Sequence, residues 1–194
     1  MFSSIDNTAM INLRGFERQL ALVDDARQKG ASIVSLAPAS EDLSDAAVRK
    51  MAPTVITGAT DTMRVMQEEI FGPVPPVVTY ETLDDALAYI NAHPRPLSLY
   101  YFGDDAAEQE QVASRTTSGA LVFNDAMTHV FFDSLPFGGV GASGMGHYHG
   151  EYGYRAFSHA KPVVLQSAGG ESNLLMRAPY VAASEAAING MIDA

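Results

Sequence analysis

A glycine-rich stretch at residues 135–150, LPFGGVGASGMGHYHG, contains the spacing Gly139-x-Gly141-x-x-Gly144 of a dinucleotide-binding loop. A phosphate loop of this kind needs a strand directly before the glycines, a helix directly after them and an acidic residue about 20 positions further on. Here the strand-like residues 120–125 end well before Gly139, the glycines are followed by MGHYHG, and the later region reads PVVLQ. The stretch therefore predicts a tightly folded backbone loop and not a phosphate site.

The same stretch contains two further patterns that resemble reactive sites. Gly141-Ala-Ser143-Gly-Met145 ends in methionine where a nucleophile elbow requires glycine. His147 and His149 are two positions apart, and Glu151 is the nearest candidate for a third metal ligand. A metal site normally needs more imidazole or acidic ligands than this. We interpret the two histidines as half-exposed loop residues and predict no metal site.

A second informative segment is MQEEIFGPVPPVV at residues 66–78, in which two carboxylates precede an aromatic residue and a Gly-Pro turn. One interpretation is structural: a polar segment enters a turn and Phe71 lies in the core. The other is functional: one carboxylate accepts hydrogen bonds from a vicinal diol and the aromatic ring supports a flat heterocycle. Nicotinamide ribose has both features.

The elements that must position these residues alternate along the chain, which predicts the α/β class with a mostly parallel open sheet and flanking helices. The helix at residues 8–29 carries apolar residues at Ile11, Phe16, Leu20 and Val23 and ends at Gly30. Thr82 and Asp85 have the spacing of a capping box. Strands are predicted at residues 32–36, 53–59, 76–80, 97–103, 120–125 and 161–166; further helices at 82–93, 104–117, 151–160 and within the last twenty residues; and a loop at 37–52. The strands at 97–103 and 120–125 are apolar runs typical of strands buried on both faces.

Composition excludes several classes of function. The 194 residues have a formal charge of −11, and their 12 Lys and Arg residues are scattered singly, so neither nucleic acid nor anionic lipid is expected as a partner. The absence of cysteine excludes disulfides and thiolate metal sites. The sequence has no membrane-spanning apolar run and no secretory signal pattern. We expect a cytoplasmic protein.

Several motifs, in this order and spacing, resemble the C-terminal part of the catalytic domain of NAD(P)-dependent aldehyde dehydrogenases, from about residue 8 to about residue 180. They are QEEIFGPV, LSLYYF, SGALVFND, LPFGGVGASGMGHYHGEYGYRAFSH and MRAPY. The SGMG-x-YHG and FSH segments are most similar to the class 3 and coniferyl aldehyde group. The resemblance implies a partial catalytic domain at residues 1–160, followed by an oligomerisation strand and C-terminal tail at residues 161–194.

The resemblance also implies roles for individual residues. Glu69 would bind the nicotinamide ribose hydroxyls, and Phe71 would pack against the nicotinamide ring. Phe137 would line the aldehyde tunnel beside Asn124. For Asn124, a side-chain amide that caps the turn after a strand is an equally good interpretation.

The chemistry of this family requires groups that the 194 residues do not contain. A cysteine thiolate attacks the aldehyde, the thiohemiacetal passes hydride to NAD or NADP, and a water activated by glutamate hydrolyses the thioester to the acid. The chain has no cysteine, and the resemblance places the nucleophile, the general base and the cofactor domain upstream. We therefore expect the chain alone to be inactive and to bind no cofactor, and the complete enzyme to oxidise an aromatic or medium-chain aldehyde such as coniferyl aldehyde.

The missing upstream part also has a structural consequence, because apolar surface that would face it must be covered in another way. We therefore expect a homo-oligomer. Two alternatives remain open from the sequence: a non-catalytic oligomerisation or binding module, and one half of a split enzyme.

Overall fold

The computed structural model of the chain describes residues 7–38, 47–169 and 178–192. Contacts divide the chain into two compact units, Met1–Ala92 and His93–Ala194. Each unit combines helices with strands, which confirms the α/β class. The strands form two small sheets and not the one open sheet that we predicted. Part of the predicted loop at 37–52, residues 39–46, lies outside the described residues.

The first unit combines a three-stranded sheet with helices. Its elements are α1 (Leu13–Gln28), β1 (Ser32–Ser35), β2 (Thr54–Thr57), α2 (Arg64–Gln67), β3 (Pro76–Val77) and α3 (Leu83–Ala92). The central strand β2 pairs antiparallel with β1 and parallel with β3. The antiparallel pair departs from the mostly parallel sheet that we predicted. Only a parallel pair requires a long crossover between its strands, and no helix is assigned to the described residues between β1 and β2.

Both ends of α1 follow from the sequence. Asn12 caps the first turn, because its side-chain Oδ1 accepts the backbone N–H of Gly15 at 2.8 Å. At the other end, the N–H groups of Gly30 and Ala31 donate to the carbonyls of Arg27 and Ala26. Gly30 has φ +94°, so the helix ends in a Schellman motif that glycine adopts without steric cost. The predicted stop at Gly30 is confirmed.

The buried face of α1 differs from the predicted stripe. Phe16 and Val23 are buried as expected, but Ile11 and Leu20 are exposed. Gln19, the residue before Leu20, is fully buried. Phe16, Gln19 and Val23 are separated by three and four positions, so they share one side of the helix. It contributes to a core of buried apolar residues from α1, β2, α2 and the segments next to them: Val23, Ala26, Ala31, Ile56, Met63, Val65 and Val74.

A capping box starts α3, as the spacing of Thr82 and Asp85 predicted. The N–H of Thr82 donates to Asp85 Oδ2 at 3.0 Å, and the N–H of Asp85 donates to Thr82 Oγ1 at 3.2 Å. Two N–H groups that the helix itself cannot satisfy are thereby paired.

The second unit is built on one βαβ motif. Its elements are β4 (Ser98–Tyr101), α4 (Ala106–Arg115), β5 (Ala120–Phe123), a 3-10 helix (Thr128–Phe131), α5 (Gly150–Ala156) and α6 (Ala182–Ile192). β4 and β5 are parallel, with a register that runs from Ser98 opposite Ala120 to Tyr101 opposite Phe123. Among the described residues neither strand has a neighbour on its outer edge. Our prediction that both strands are buried on both faces is wrong for this chain, since they are half-buried or, at Phe123, exposed.

The core of the second unit is small. Val112 is the one buried hydrophobic side chain found in its described residues. Large apolar side chains such as Phe131, Phe157 and Met145 are more than four-fifths exposed. A surface of this kind is typical of a protein that has a partner or further chain to cover it.

The predicted strand at residues 161–166 is not formed. These residues have no regular secondary structure, and Val163, Val164 and Leu165 are 73%, 88% and 92% exposed. A strand requires a hydrogen-bonding neighbour, and no described strand lies beside this segment. Throughout the described ranges, none of the helices has the length and apolar character needed to cross a membrane.

Candidate functional site

The two adjacent carboxylates after α2 have different environments. Glu68 accepts a hydrogen bond from Arg64 Nε at 2.8 Å and lies 3.9 Å from a guanidinium nitrogen of Arg18. The hydrogen bond from Arg64 and its positive charge hold the pKa of Glu68 below its ordinary value. The carboxylate of Glu69 is exposed and has no hydrogen bond or ion pair with any described residue. Glu69 is therefore the carboxylate that is free to accept hydrogen bonds from a ligand.

Phe71 lies two residues further on and is not in the core. Its side chain is 82% exposed, so the interpretation that places Phe71 in the core is wrong. Its backbone has φ +47°, a left-handed conformation that is rare for a bulky residue and costs on the order of 1–3 kcal/mol. Because the ring is exposed, its burial contributes little stability to offset the backbone strain. Such strain is found most often at functional sites.

Two residues of α1 hold this segment, and sequence reasoning did not identify either of them. Arg18 donates from its two terminal nitrogens to the carbonyl oxygens of Glu69 at 2.6 Å and Ile70 at 2.5 Å. Gln19 Nε2 donates to the same Ile70 carbonyl at 2.5 Å. A signal was present for Gln19, because a polar residue at a core position of a helix predicts a buried hydrogen bond.

A cavity of about 560 Å³ opens beside Phe71 and Arg18 in the first unit. Its other walls come from the segment before α1, from Met51 and from the Gly72–Pro73 turn. The cavity brings an aromatic ring and a guanidinium group together with mostly apolar surface. Pockets that bind small molecules commonly have such a lining, mostly apolar with a few polar groups.

The glycine loop of the second unit folds back on itself. Phe137 and Tyr148 exchange two backbone hydrogen bonds, at 3.0 and 2.9 Å, which close the loop. A Cβ on Gly138 would lie 2.1 Å from the carbonyl oxygen of Gly146, and one on Gly139 would lie 2.2 Å from that of Ser143. These glycines are required by close approach of backbone to backbone. No helix begins at Gly144, since α5 starts at Gly150; the loop is a tight backbone turn, as we predicted.

Phe137 is the centre of an aromatic stack. The imidazole of His129 stacks on it with ring centroids 5.6 Å apart and an interplanar angle of 21°. The imidazole of His149 also stacks on it, with centroids 5.7 Å apart and an interplanar angle of 29°. The edge of Tyr148 contacts the ring at 5.3 Å. His129 Nε2 is 3.0 Å from Ser98 Oγ, which ties the stack to β4. Sequence reasoning missed His129 altogether and treated His149 as an ordinary loop residue.

Both imidazoles in this stack have a ring nitrogen without a hydrogen-bond partner. The Nδ1 atoms of His129 and His149 are buried and unpaired within the part of the chain that the structure describes. Each can accept or donate one hydrogen bond, depending on the tautomer. In the described ranges, no three His, Asp or Glu side chains are grouped closely enough to hold a metal ion.

Asn124 caps the turn after β4. Its Oδ1 accepts the N–H of Gly103 at 2.8 Å, and its Nδ2 donates to the Gly103 carbonyl at 3.2 Å and to Asp104 Oδ1 at 3.0 Å. Asn124 has φ +56°, which asparagine tolerates better than most residues. The turn-capping interpretation of this side chain is therefore observed.

Comparison with known proteins agrees with the motifs. Residues 1–163 match the model of the aldehyde dehydrogenase family. The chain is 56% identical over 175 residues to a coniferyl aldehyde dehydrogenase of a Pseudomonas species, an alignment that covers 90% of this chain and 36% of the relative. It is 42% identical to mouse aldehyde dehydrogenase family 3 member A2, with 91% of this chain and 34% of the relative covered. The chain thus spans about a third of the length of these relatives.

Solved structures give the same result. The substrate-bound state of AldH from Staphylococcus aureus superimposes with a TM-score of 0.70 at 34% identity, over 94% of this chain and 38% of that one. A betaine aldehyde dehydrogenase from S. aureus in complex with NAD+ gives a TM-score of 0.66 at 30% identity, over 77% of this chain and 30% of that one. The chain belongs to the aldehyde dehydrogenase family.

Proposed function

We propose that this chain contributes to two parts of an NAD(P)-dependent aldehyde dehydrogenase: the nicotinamide-ribose subsite, through Glu69 and Phe71, and the aldehyde pocket, through Phe137 and Asn124. The observation that carries the proposal is the combination of the exposed Glu69 carboxylate, with which no described residue pairs, and the exposed Phe71 ring in strained backbone. Neither feature stabilises the chain by itself. Both match what a ribose diol and a flat ring require.

The residues present fit the cofactor's nicotinamide half. When bound, NAD(P) supplies the hydride acceptor of the reaction. Glu69 accepts hydrogen bonds from the ribose hydroxyls and thereby orients the sugar. Phe71 supports the ring and limits the positions that it can adopt, so that less orientational freedom is lost when the reaction occurs.

On the substrate side, we propose that the ring of Phe137 forms an apolar wall for the aldehyde. The stack with His129 and His149 restricts the rotation of that ring. Asn124 fixes the turn that follows β4, and we propose that this turn borders the same pocket. A flat apolar wall favours aromatic or medium-chain aldehydes, and the similarity to coniferyl aldehyde dehydrogenases supports coniferyl aldehyde as a substrate.

The nucleophile must come from outside these 194 residues, because they contain no cysteine. The chain alone is then inactive and binds no cofactor stably, since the general base and the rest of the cofactor site also lie elsewhere. The alternative is a split enzyme, in which a second polypeptide carries the nucleophile. The outer edges of β4 and β5, which have no neighbouring strand among the described residues, support this alternative.

We also propose a division of roles along the chain. Residues 1–160 form the partial catalytic domain, and residues 161–194 contain an oligomerisation segment. The exposed Val163, Val164 and Leu165 support this role, since an apolar segment without a partner is covered when another copy pairs with it. The resulting homo-oligomer would be cytoplasmic.

The test is a fused enzyme in which residues 1–163 replace the matching region of the Pseudomonas coniferyl aldehyde dehydrogenase. We expect the fused enzyme to reduce NAD+ when given coniferyl aldehyde, and the chain alone to give no turnover above background. A fused enzyme that is folded and oligomeric but inactive would contradict the proposal, as would turnover by the chain alone.

A further inference from the structure

The segment that carries Glu69 and Phe71 is held by α1 and not by its own sheet. The guanidinium group of Arg18 spans two consecutive carbonyls, of Glu69 and Ile70. Such forked, charge-assisted hydrogen bonds fix orientation as well as distance. They end one residue before Phe71, where the backbone turns into the left-handed region.

Gln19 supports the same segment from the neighbouring position. Its side chain is fully buried, and Nε2 donates to the Ile70 carbonyl at 2.5 Å. Its other amide atom, Oε1, is buried without a partner among the described residues. A buried amide with one unsatisfied acceptor is costly, so packing of α1 alone does not explain why glutamine occupies this position.

The residue after Phe71 is shaped to receive Gln19. A Cβ on Gly72 would lie 2.4 Å from Gln19 Cδ and 2.5 Å from its Oε1. Any side chain at position 72 would push the amide away from Ile70. The absence of a Cβ at Gly72 therefore leaves room for the Gln19 amide. Gln19 thus contacts the residues on both sides of Phe71 in the sequence, Ile70 and Gly72.

We propose that Arg18 and Gln19 are positioning residues for the cofactor subsite: they keep Phe71 in its left-handed conformation and so set the orientation of the Phe71 ring and the Glu69 carboxylate. The cofactor role that this inference gives to Arg18 and Gln19 rests on the proposed function. The arrangement itself can be tested on the chain alone.

The first experiment measures the backbone of Phe71 by NMR in the isotope-labelled full chain. A positive φ brings the amide and α protons of one residue close together, which gives a strong cross-relaxation signal between them. We expect this signal in the unsubstituted chain and in Arg14→Ala, which removes the same charge from α1 at a residue without a described partner. We expect its loss in Arg18→Ala and partial recovery in Arg18→Lys, which restores one donor.

Gln19 and Gly72 allow a paired test that remains informative if Arg18→Ala fails to fold. Gly72→Ala should weaken the Phe71 signal by displacing the Gln19 amide, and Gln19→Ala should weaken it by removing that amide. Because the two changes act on one contact, the double variant should be no worse than Gln19→Ala. A Phe71 signal that is unchanged in folded Arg18→Ala and in Gln19→Ala, or in Gln19→Ala alone where Arg18→Ala does not fold, would overturn the inference. Additive effects of Gly72→Ala and Gln19→Ala would overturn it as well.

The fused enzyme separates this inference from the proposed function. We expect Arg18→Ala to raise KM for NAD+ about tenfold, the size expected when charge-assisted hydrogen bonds are lost, with KM for the aldehyde unchanged. Arg14→Ala should change neither. If the unsubstituted fused enzyme is inactive, the proposed function fails while the NMR experiment still decides the role of Arg18 and Gln19. An equal rise in both KM values would contradict a specific role in the cofactor subsite.

Discussion

The imidazole of His149 stacks on the ring of Phe137, with centroids 5.7 Å apart and planes inclined by 29°. In this stacked position the backbone of His149 has φ +80°, a conformation that favours glycine. At His149, stacking therefore lowers the free energy of the folded chain, whereas the backbone strain raises it. Their sizes are similar: about 0.5–1.5 kcal/mol for an aromatic pair and about 1–3 kcal/mol for the strain.

The first prediction separates these two contributions. His149→Ala loses the stack and keeps most of the strain, whereas His149→Gly loses the stack and relieves the strain. We expect the alanine variant to be less stable than the glycine variant by roughly 1 kcal/mol, measured by urea denaturation. Equal stability of the two variants would show that the positive φ at position 149 is not strained in solution.

The second prediction concerns the glycine loop. Gly139→Ala places a Cβ against the backbone of Ser143 and Gly144, and backbone cannot move aside as a flexible side chain can. We expect a loss of roughly 2–3 kcal/mol in unfolding free energy, the range for severe overpacking. Gly141 is the matched control, since it has φ +63° and open space around it. Gly141→Asn should cost much less, because asparagine tolerates this conformation. A mild effect of Gly139→Ala would mean that the loop is open.

The third prediction uses the exposed ring of Phe71. Because the ring is 82% exposed and the backbone is left-handed, Phe71→Gly should raise the unfolding free energy by about 1 kcal/mol in spite of the smaller side chain. In the fused enzyme the same change should raise KM for NAD+. A destabilised Phe71→Gly chain would indicate that the ring packs within the folded chain and is not a ligand-facing group.

The fourth prediction is a pH dependence. The hydrogen bond from Arg64 holds the pKa of Glu68 below its ordinary value of 4.5, and Lys29 does the same for Asp25, whose ordinary value is 3.8. A carboxyl whose pKa is lowered by folding stabilises the chain above its unfolded pKa and loses that contribution as the pH falls through the folded pKa. Stability should therefore decrease as the pH falls from about 5. The Glu68→Gln variant should lose less unfolding free energy than the unsubstituted chain as the pH falls, because its side chain has no carboxyl group to protonate.

The control for the pH experiment is Glu69→Gln. Glu69 forms no ion pair with a described residue, so its substitution should leave the acid transition in place. If Glu69→Gln alters the acid transition as much as Glu68→Gln does, the two carboxylates have been assigned to the wrong environments. Denaturant midpoints at a series of pH values measure both variants.

The local elements could be predicted from the sequence because their determinants are local. The Schellman motif at Gly30 and the capping box at Thr82 and Asp85 each depend on a few neighbouring residues. The tight backbone turn of the glycine loop could also be predicted, since closely spaced glycines allow backbone to approach backbone.

The remaining features depend on contacts between residues that are distant in the sequence. The hydrogen bonds from Arg18 and Gln19 to residues 69 and 70 join positions more than fifty apart, and no local pattern contains them. The hydrogen bond between His129 and Ser98, 31 positions apart, is a similar case. For residues 161–166 we predicted a strand, but strand formation requires a partner that the described chain does not provide.

We propose that the Glu69 carboxylate binds the cofactor's ribose, and KM for NAD+ in the fused enzyme measures this contact. Glu69→Gln should raise that KM about tenfold or more, because a neutral amide replaces a charged hydrogen-bond acceptor. Glu17→Gln, which neutralises an exposed carboxylate on α1, should leave it unchanged. An unchanged KM for NAD+ in a folded and active Glu69→Gln enzyme would contradict the account.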